Sequence, residues 1–317
     1  MVRRSSRKKP TMTGQGYDLV GDIHGHADAL HRLLYELEYA EVGGVFRHPE
    51  RQMIFVGDFI DRGPEQREVL QIARSMCEAG AARAVMGNHE FNAIGWVAKN
   101  EDGGFLRSHS AKNANQHAKF LGQIEENSPA HKDAINWFRT LPIWLDLPGV
   151  RVVHACWHDA SREALVPFLD QAGCFTAEGV RESYRPGSAA HSAVEILLKG
   201  PEERLPAGLH FSDKDGHRRE EVRLRWWDPN ATTFRKAALG MEGRENELPD
   251  ARLPSIYRYH GGKPVFFGHY WLKGRPEITA PNAACLDFSI AREGYLTAYR
   301  WSGERELAKD ALISVPA

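Results

Sequence analysis

Met53-Ile54-Phe55-Val56-Gly57-Asp58-Phe59-Ile60-Asp61-Arg62-Gly63 joins a short apolar run to a turn that carries two carboxylates and an arginine. An apolar run of this length, closed by glycine and polar residues, reads as a buried strand. The strand therefore ends by presenting Asp58. The pattern recurs on either side: Tyr17 to Val20 runs into Gly21-Asp22-Ile23-His24, and Ala84 to Met86 into Gly87-Asn88-His89-Glu90. Further along, Val150 to Val153 leads to His154, and Val265 to Phe267 to Gly268-His269. Helical spacing fills the first gaps, with Leu30, Leu33, Leu34 and Leu37 on one face of Asp28 to Leu37 and Val69, Leu70, Ile72, Ala73 and Met76 on one face of Gln66 to Cys77. Strand and helix alternate, which predicts an α/β fold. Ligands in such sheets bind beyond the carboxyl ends of the strands, so the five ends are expected to meet in one composite site.

The bulk numbers fit an enzyme of this kind. The chain has 317 residues, 42% of them hydrophobic and 26% charged, without a long apolar run, which excludes a disordered or membrane-spanning protein. Its 41 basic and 42 acidic side chains nearly cancel, so anions must be attracted by a local site rather than by the whole surface. Only the first residues are unbalanced: Arg3, Arg4, Arg7, Lys8 and Lys9 make residues 1–13 a solvated basic tail, with a nucleic-acid-binding arm as the weaker reading. No signal peptide follows that tail, and the four scattered cysteines form no Cys-x-x-Cys pair, so the cytoplasm is the expected compartment.

Each strand-end residue has a bland reading of its own, since Gly-Asp is often a turn and a lone histidine often a structural group. Jointly they supply two carboxylates, one amide oxygen and three imidazoles. That donor set suits manganese first, with iron, zinc or magnesium as alternatives, and does not suit copper or an iron-sulfur cluster.

Taken in order, Gly21-Asp22-Ile23-His24-Gly25, Gly57 to Gly63, Gly87-Asn88-His89-Glu90, His154 and Gly268-His269 resemble the calcineurin-like metallophosphoesterases. The similar branch holds the serine/threonine phosphoprotein phosphatases and the symmetrical diadenosine tetraphosphate hydrolases. The resemblance implies a four-layer αββα sandwich over residues 14–317 with a cap inserted at about 158–262. It also implies two divalent ions: Asp22 and His24 would hold the first, Asn88, His154 and His269 the second, and Asp58 would bridge them.

Two such ions can share a water, lower its pKa and clamp phosphoryl oxygens during in-line attack. His89 is placed to protonate the leaving oxygen, with Asp61 fixing its tautomer; the alternative is that both only brace their loops. The planar fork of Arg62 suits a phosphate clamp, against an ion pair with Glu65 or Glu68. Glu90 is expected to orient a ligand or cap the next turn.

Departures from the resembled pattern divide the substrate reading. Met86 stands where phosphoprotein phosphatases carry a second arginine, unless Arg83 or another arginine replaces it, and Ala155-Cys156-Trp157 lies nearer the dinucleotide hydrolases. Asp61 and Glu90 are phosphoprotein-phosphatase choices. Tyr270 and Trp271 could stack a base or fill the core. In the charged stretch Pro201 to Arg225, Arg218, Arg219, Arg223 and Arg225 could meet phosphates while Trp226 or Trp227 stacks on a base, against a solvated strand face over a tryptophan-anchored core. The expected activity is hydrolysis of phosphate monoesters, of a phosphoprotein, a nucleotide or another phosphorylated small molecule. The alternative is a dinucleoside polyphosphate or RNA 5'-end pyrophosphohydrolase, and the remaining reading is a non-catalytic nucleic-acid-binding relative.

Overall fold

The computed structural model describes residues 16–212, 218–241, 243–254 and 257–317; the basic tail, 1–13, lies outside them. Two sheets organise the chain. The first runs in the order Asp287–Phe288, Tyr295–Trp301, Gly16–Val20, Arg51–Phe55, Ala82–Ala84, with Leu312–Pro316 also paired to Tyr295–Trp301. Its Gly16–Val20, Arg51–Phe55 and Ala82–Ala84 strands are parallel. The second runs Ala283–Cys285, Val265–Phe267, Val150–Val153, Trp144–Leu147, the first three parallel and the last antiparallel.

Side chains alternate across a strand, and here the alternation sorts the strands into layers. Tyr17, Leu19, Ile54 and Val56 of the first sheet pack against Val150, Val152, Phe266 and Ala284 of the second in one cluster between the sheets. Their neighbours Val20, Met53, Phe55, Val153, Val265 and Phe267 face outward into the helical core. Helices Ala27–Glu36 and Gln66–Glu78 lie against the first sheet. Helix Ala189–Lys199 lies against the second, where the Leu197 carbonyl accepts from Ala155 N at 3.0 Å. The order is helix, sheet, sheet, helix, as the resemblance implied.

The helices read from periodicity differ by one residue at each end from Ala27–Glu36 and by one at the C-terminal end from Gln66–Glu78. The third strand differs more, because it stops at Ala84: Met86 N donates to Pro142 O at 2.8 Å and leaves the ladder. Residues 158–262 divide into two parts. Helices Asp159–Leu165, Ala177–Tyr184 and Ala189–Lys199 give Leu165, Val180, Val194 and Leu197 to the main core. Only the following stretch has a small core of its own, built from Leu205, Val222, Leu224, Phe234, Leu248 and Leu253.

Phe266 sits wholly buried between the sheets, 4.9 Å from the Tyr299 ring. Phe266→Ala is expected to cost about 3–5 kcal/mol, since neither sheet can close the void alone. Urea unfolding checks this, and a loss under 1 kcal/mol would mean that the sheets do not share a core there.

Candidate active site

The parallel strands of both sheets end on one edge, and the loops that leave them must crowd together. Gly268 and Gly87 make room for the crowding. A Cβ on Gly268 would lie 1.9 Å from Asp22 Oδ1, and one on Gly87 2.2 Å from Asp58 Oδ1. Ten non-glycine residues among those described have positive φ, and six of them, His24, Asp58, Asp61, Arg62, His269 and Trp271, lie on these loops. Left-handed backbone at such residues costs on the order of 1–3 kcal/mol each, so the surroundings must hold it. Glu90 supplies much of that hold: its buried carboxylate accepts from Asp58 N at 2.8 Å, Phe59 N at 2.9 Å and Gly87 N at 3.1 Å. Burial first, and then Asp58, push its carboxyl up to about 7. Glu90 thus both caps helix Asn88–Val97 and braces the Asp58 turn.

Asp22, His24, Asp58, Asn88, His89, His154 and His269 are all brought together and all buried. Asp58 Oδ2 lies 3.6 Å from His24 Nε2, 3.4 Å from His154 Nε2 and 4.0 Å from His89 Nε2. Asn88 Oδ1 lies 3.0 Å from His154 Nε2 and 2.7 Å from His269 Nδ1. Asp22 Oδ2 accepts from His269 N at 2.9 Å, which ties the first strand end to the last. Two triads, His24-Asp58-His89 and Asp58-His154-His269, each bring their donor atoms within 4.8 Å, and Asp58 is common to both. Second contacts orient the rings: His24 Nδ1 donates to Ile60 O at 2.9 Å and His154 Nδ1 to Val56 O at 2.8 Å. Both Nε2 lone pairs then point into the cluster.

The electrostatics show what the cluster lacks. Burial, followed by Asp287 and Asp58, raises the Asp22 carboxyl well above its ordinary range. Burial also pushes His24 down to about 4 and, with Arg223, His269 lower than usual. At Asp58 burial pulls upward but His154 and His89 outweigh it, so its carboxyl stays well below the ordinary range. Asp22 Oδ1 and His24 Nε2 are buried without a hydrogen-bond partner among the described residues. Unsatisfied buried donors and acceptors cost about 1–3 kcal/mol each, and divalent cations held by this oxygen and nitrogen set would satisfy them. The residues fit a metal centre.

Beside the cluster, His89 Nδ1 lies 2.5 Å from Asp61 Oδ2. Asp61 is itself held by His117 Nδ1 at 3.0 Å on its other oxygen, while Gln66 Oε1 accepts from its backbone N–H at 2.7 Å. Burial opposes ionisation of Asp61, but the hydrogen bonds from His117 and His89 outweigh it and hold the carboxyl far below its ordinary range. For His89 burial likewise opposes charge, yet Asp58 and Asp61 raise it. Sequence reasoning missed His117, Gln66 and Asp287. Asp287 accepts from Trp271 N at 2.6 Å and Ser289 N at 3.0 Å. No local pattern announces such contacts; a polar residue on the buried face of a helical or strand run is the only hint.

The cluster opens into a cavity of about 990 Å³ whose lining includes Arg62, Arg204, Arg218, Arg219, Arg223, Lys273 and Arg292. Arg62 has no carboxylate partner among the described residues, since Glu68 pairs with His31 and Glu65 accepts from Asp28 N. Arg223 Nη1 donates to His269 Nε2 at 3.0 Å and Nη2 to Glu202 at 2.9 Å. The structure decides four points that the sequence left open, and for Trp226, Trp227 and Tyr270 it takes the core reading. Arg83 lies away from this cavity and donates to Gln52. Arg225 does not line it either. Trp226 and Trp227 are core residues with no face for a base, Trp226 donating to Ala155 O and Tyr270 Oη at 3.1 and 2.8 Å. Tyr270 is buried with them, and of the aromatics considered only Trp271 keeps an exposed part beside the cluster.

Among known proteins, the chain is similar to the asymmetrical bis(5'-nucleosyl)-tetraphosphatase PrpE of Oceanobacillus iheyensis, 28% identical over 139 residues that cover 44% of this chain and 54% of that one. The chain thus spans about half the length of that relative. It is also similar to the symmetrical bis(5'-nucleosyl)-tetraphosphatase of Pectobacterium carotovorum, 24% identical over 313 residues that cover 93% and 95% of the two chains. A solved structure assigned provisionally as a diadenosine tetraphosphatase shares the fold at a TM-score of 0.51 and 20% identity, over 96% of this chain and 95% of that one. A family model described as calcineurin-like phosphoesterase matches residues 18–270, which takes in every strand end from Asp22 to His269. Members of that family work with a binuclear divalent metal centre, and the two buried triads are groups that could hold a metal ion. The chain belongs to the calcineurin-like phosphoesterases.

Proposed function

We propose that the chain hydrolyses the phosphoanhydride of a nucleotide, with dinucleoside polyphosphates as its foremost substrate class. The observation that carries this reading is the cavity: about 990 Å³, at the upper end for ligand pockets, with seven arginine or lysine side chains in its lining. One phosphate monoester needs neither that volume nor that many cations. The two relatives compared by sequence support it, because both are named bis(5'-nucleosyl)-tetraphosphatases. Monoesters remain the second reading, since the metal cluster treats any phosphoryl group alike.

In this reading Asp22 and His24 hold one ion, Asn88, His154 and His269 the other, and Asp58 is shared. When bound, manganese ions supply Lewis acidity toward the phosphoryl oxygens and the attacking water. The residues do the rest. Arg62 faces the cavity with its fork unpaired by any described carboxylate and is placed to hold the phosphoryl oxygens. His89 keeps Nδ1 on Asp61 and presents Nε2 to the cluster, where it can give a proton to the leaving phosphate oxygen. Asp61 and His117 fix the ring that gives it. By distance alone His89 falls in a triad with His24 and Asp58, but its grip on Asp61 favours a proton donor over a ligand. Four free thiols, Cys77, Cys156, Cys174 and Cys285, support placing the protein in the reducing cytoplasm. No helix of the described residues is long and apolar enough to cross a membrane.

The test is a panel run with manganese and resolved by chromatography: diadenosine tetraphosphate, a nucleotide, a phosphopeptide and an aryl phosphate. The expected result is highest kcat/KM on diadenosine tetraphosphate, with two nucleoside diphosphates as products, as the end-to-end symmetrical relative suggests. Orthophosphate released fastest from the phosphopeptide would replace this reading with the monoester one.

A further inference from the structure

Of the seven cations lining the cavity, several are already engaged. Arg204 and Arg218 pair with Glu220 at 3.4 and 3.1 Å, and Arg223 is shared between Glu202 and His269. Arg62 and Arg292 differ. Among the described residues neither has a carboxylate partner, and both lie over the same ring: Arg62 Cζ is 5.0 Å and Arg292 Cζ 4.8 Å from the Trp271 ring centroid. A guanidinium over an indole keeps its N–H fork free while the ring limits its motion.

The backbone that brings these three groups together is built for it. Trp271 has φ 53°, and its N–H is held by the buried carboxylate of Asp287 at 2.6 Å. The other oxygen of Asp287 accepts from Ser289 N at 3.0 Å, and Ser289 Oγ donates to Leu272 O at 3.0 Å. Ser289 and Glu293 both adopt left-handed conformations, at φ 60° and 59°, and between them a single 3₁₀ turn, Ile290–Arg292, delivers the arginine. One buried carboxylate thus ties the loop carrying Trp271 to the turn carrying Arg292. Strain of this kind persists only where surroundings over-determine it.

We propose that Arg292, held with Arg62 on the face of Trp271, forms a second phosphate subsite beside the metal cluster, one that takes a phosphate linked to the one under attack. The inference deepens the proposed function: it says that the substrate class carries two or more linked phosphates, and that the turn after Asp287 reads this. Arg62 reaches the reacting phosphoryl group and Arg292 its neighbour. With two guanidinium groups over its ring, Trp271 acts as an arginine rest rather than a base platform.

The test is equilibrium binding, by calorimetry, of inorganic triphosphate and of orthophosphate to the intact manganese-loaded protein. Wild type is expected to bind triphosphate at least tenfold more tightly than orthophosphate. Arg292→Ala, at an exposed position, is expected to weaken triphosphate binding about tenfold, or about 1.4 kcal/mol, and to reduce the preference over orthophosphate by a similar factor. Arg292→Lys is expected to restore part of it, since it returns charge without the planar fork. Equal weakening of both anions in Arg292→Ala, or no triphosphate preference in wild type, would overturn the subsite. These readouts need no turnover. A protein that binds triphosphate through Arg292 yet spares diadenosine tetraphosphate would fail the proposed function while keeping the subsite.

Discussion

Asp58→Asn is expected to abolish turnover and to strip metal from the protein. Asp58 is the residue common to both donor triads, and its Oδ2 sits between His24 and His154 at 3.6 and 3.4 Å. Its carboxyl is held well below the ordinary range, whereas those of Asp22, Glu90 and Asp287 are raised. Replacing it by an isosteric amide keeps the volume and an oxygen that can accept from His89 N, now at 3.0 Å from Oδ1. What disappears is the charge that offsets two cations. Breaking a buried charge pair on one side costs roughly 3–5 kcal/mol, which as metal affinity is a loss of roughly 10²- to 10⁴-fold. Elemental analysis of the dialysed variant reads this directly. A variant that keeps two metals per chain and near-native kcat would remove Asp58 from the shared position.

The second large effect is at His89. His89→Asn is expected to leave metal content unchanged and lower kcat by roughly 10²- to 10⁴-fold, the usual size of general acid catalysis. The loss should shrink on an aryl phosphate, whose leaving group needs little help from a proton, and be full on an alkyl ester. The two roles open to His89 part here. Its ring belongs to one metal-binding triad by distance, so as a ligand its loss would lower metal content; as the acid gripped by Asp61 at 2.5 Å, it would not. A loss equal on alkyl and aryl esters would also count against proton donation.

What could be read from sequence, and what could not, follows from the range of the contacts involved. Strand ends were legible because each apolar run stops at a polar donor, in four of the five just after a glycine, and because five such ends can meet in only one place in an α/β sheet. The layering came from the resemblance alone, since apolar runs such as Tyr17 to Val20 and Met53 to Val56 read as buried strands without saying what covers each face. The support of the site was not legible. His117 reaches Asp61 across 56 residues, and Asp287 reaches Trp271 across 16 while sitting in a run that reads simply as strand. Arg292 follows no metal-ligand block and gains meaning only from its place over Trp271. Trp226 and Trp227 had two readings, and the tryptophan-anchored core is the one observed. They follow a charged run, which suggested an exposed platform, but the chain turns them into the main core beside Phe267 and Tyr270, at 4.7 Å in the pairs Trp226–Phe267 and Trp227–Tyr270. A tryptophan pair after an exposed, charged hairpin is as well suited to anchoring the cap as to meeting a ligand, and burial decided.

The central claim is that two divalent ions, held by the strand-end residues, make this chain a hydrolase. Its most direct test is a titration of manganese into chelator-treated protein, with bound metal per chain and hydrolysis of diadenosine tetraphosphate followed in the same samples. The account predicts no turnover in the metal-free protein, saturation at two ions per chain, and activity that appears as the second ion binds. Full turnover without bound metal, or saturation at a single ion with full activity, would contradict it.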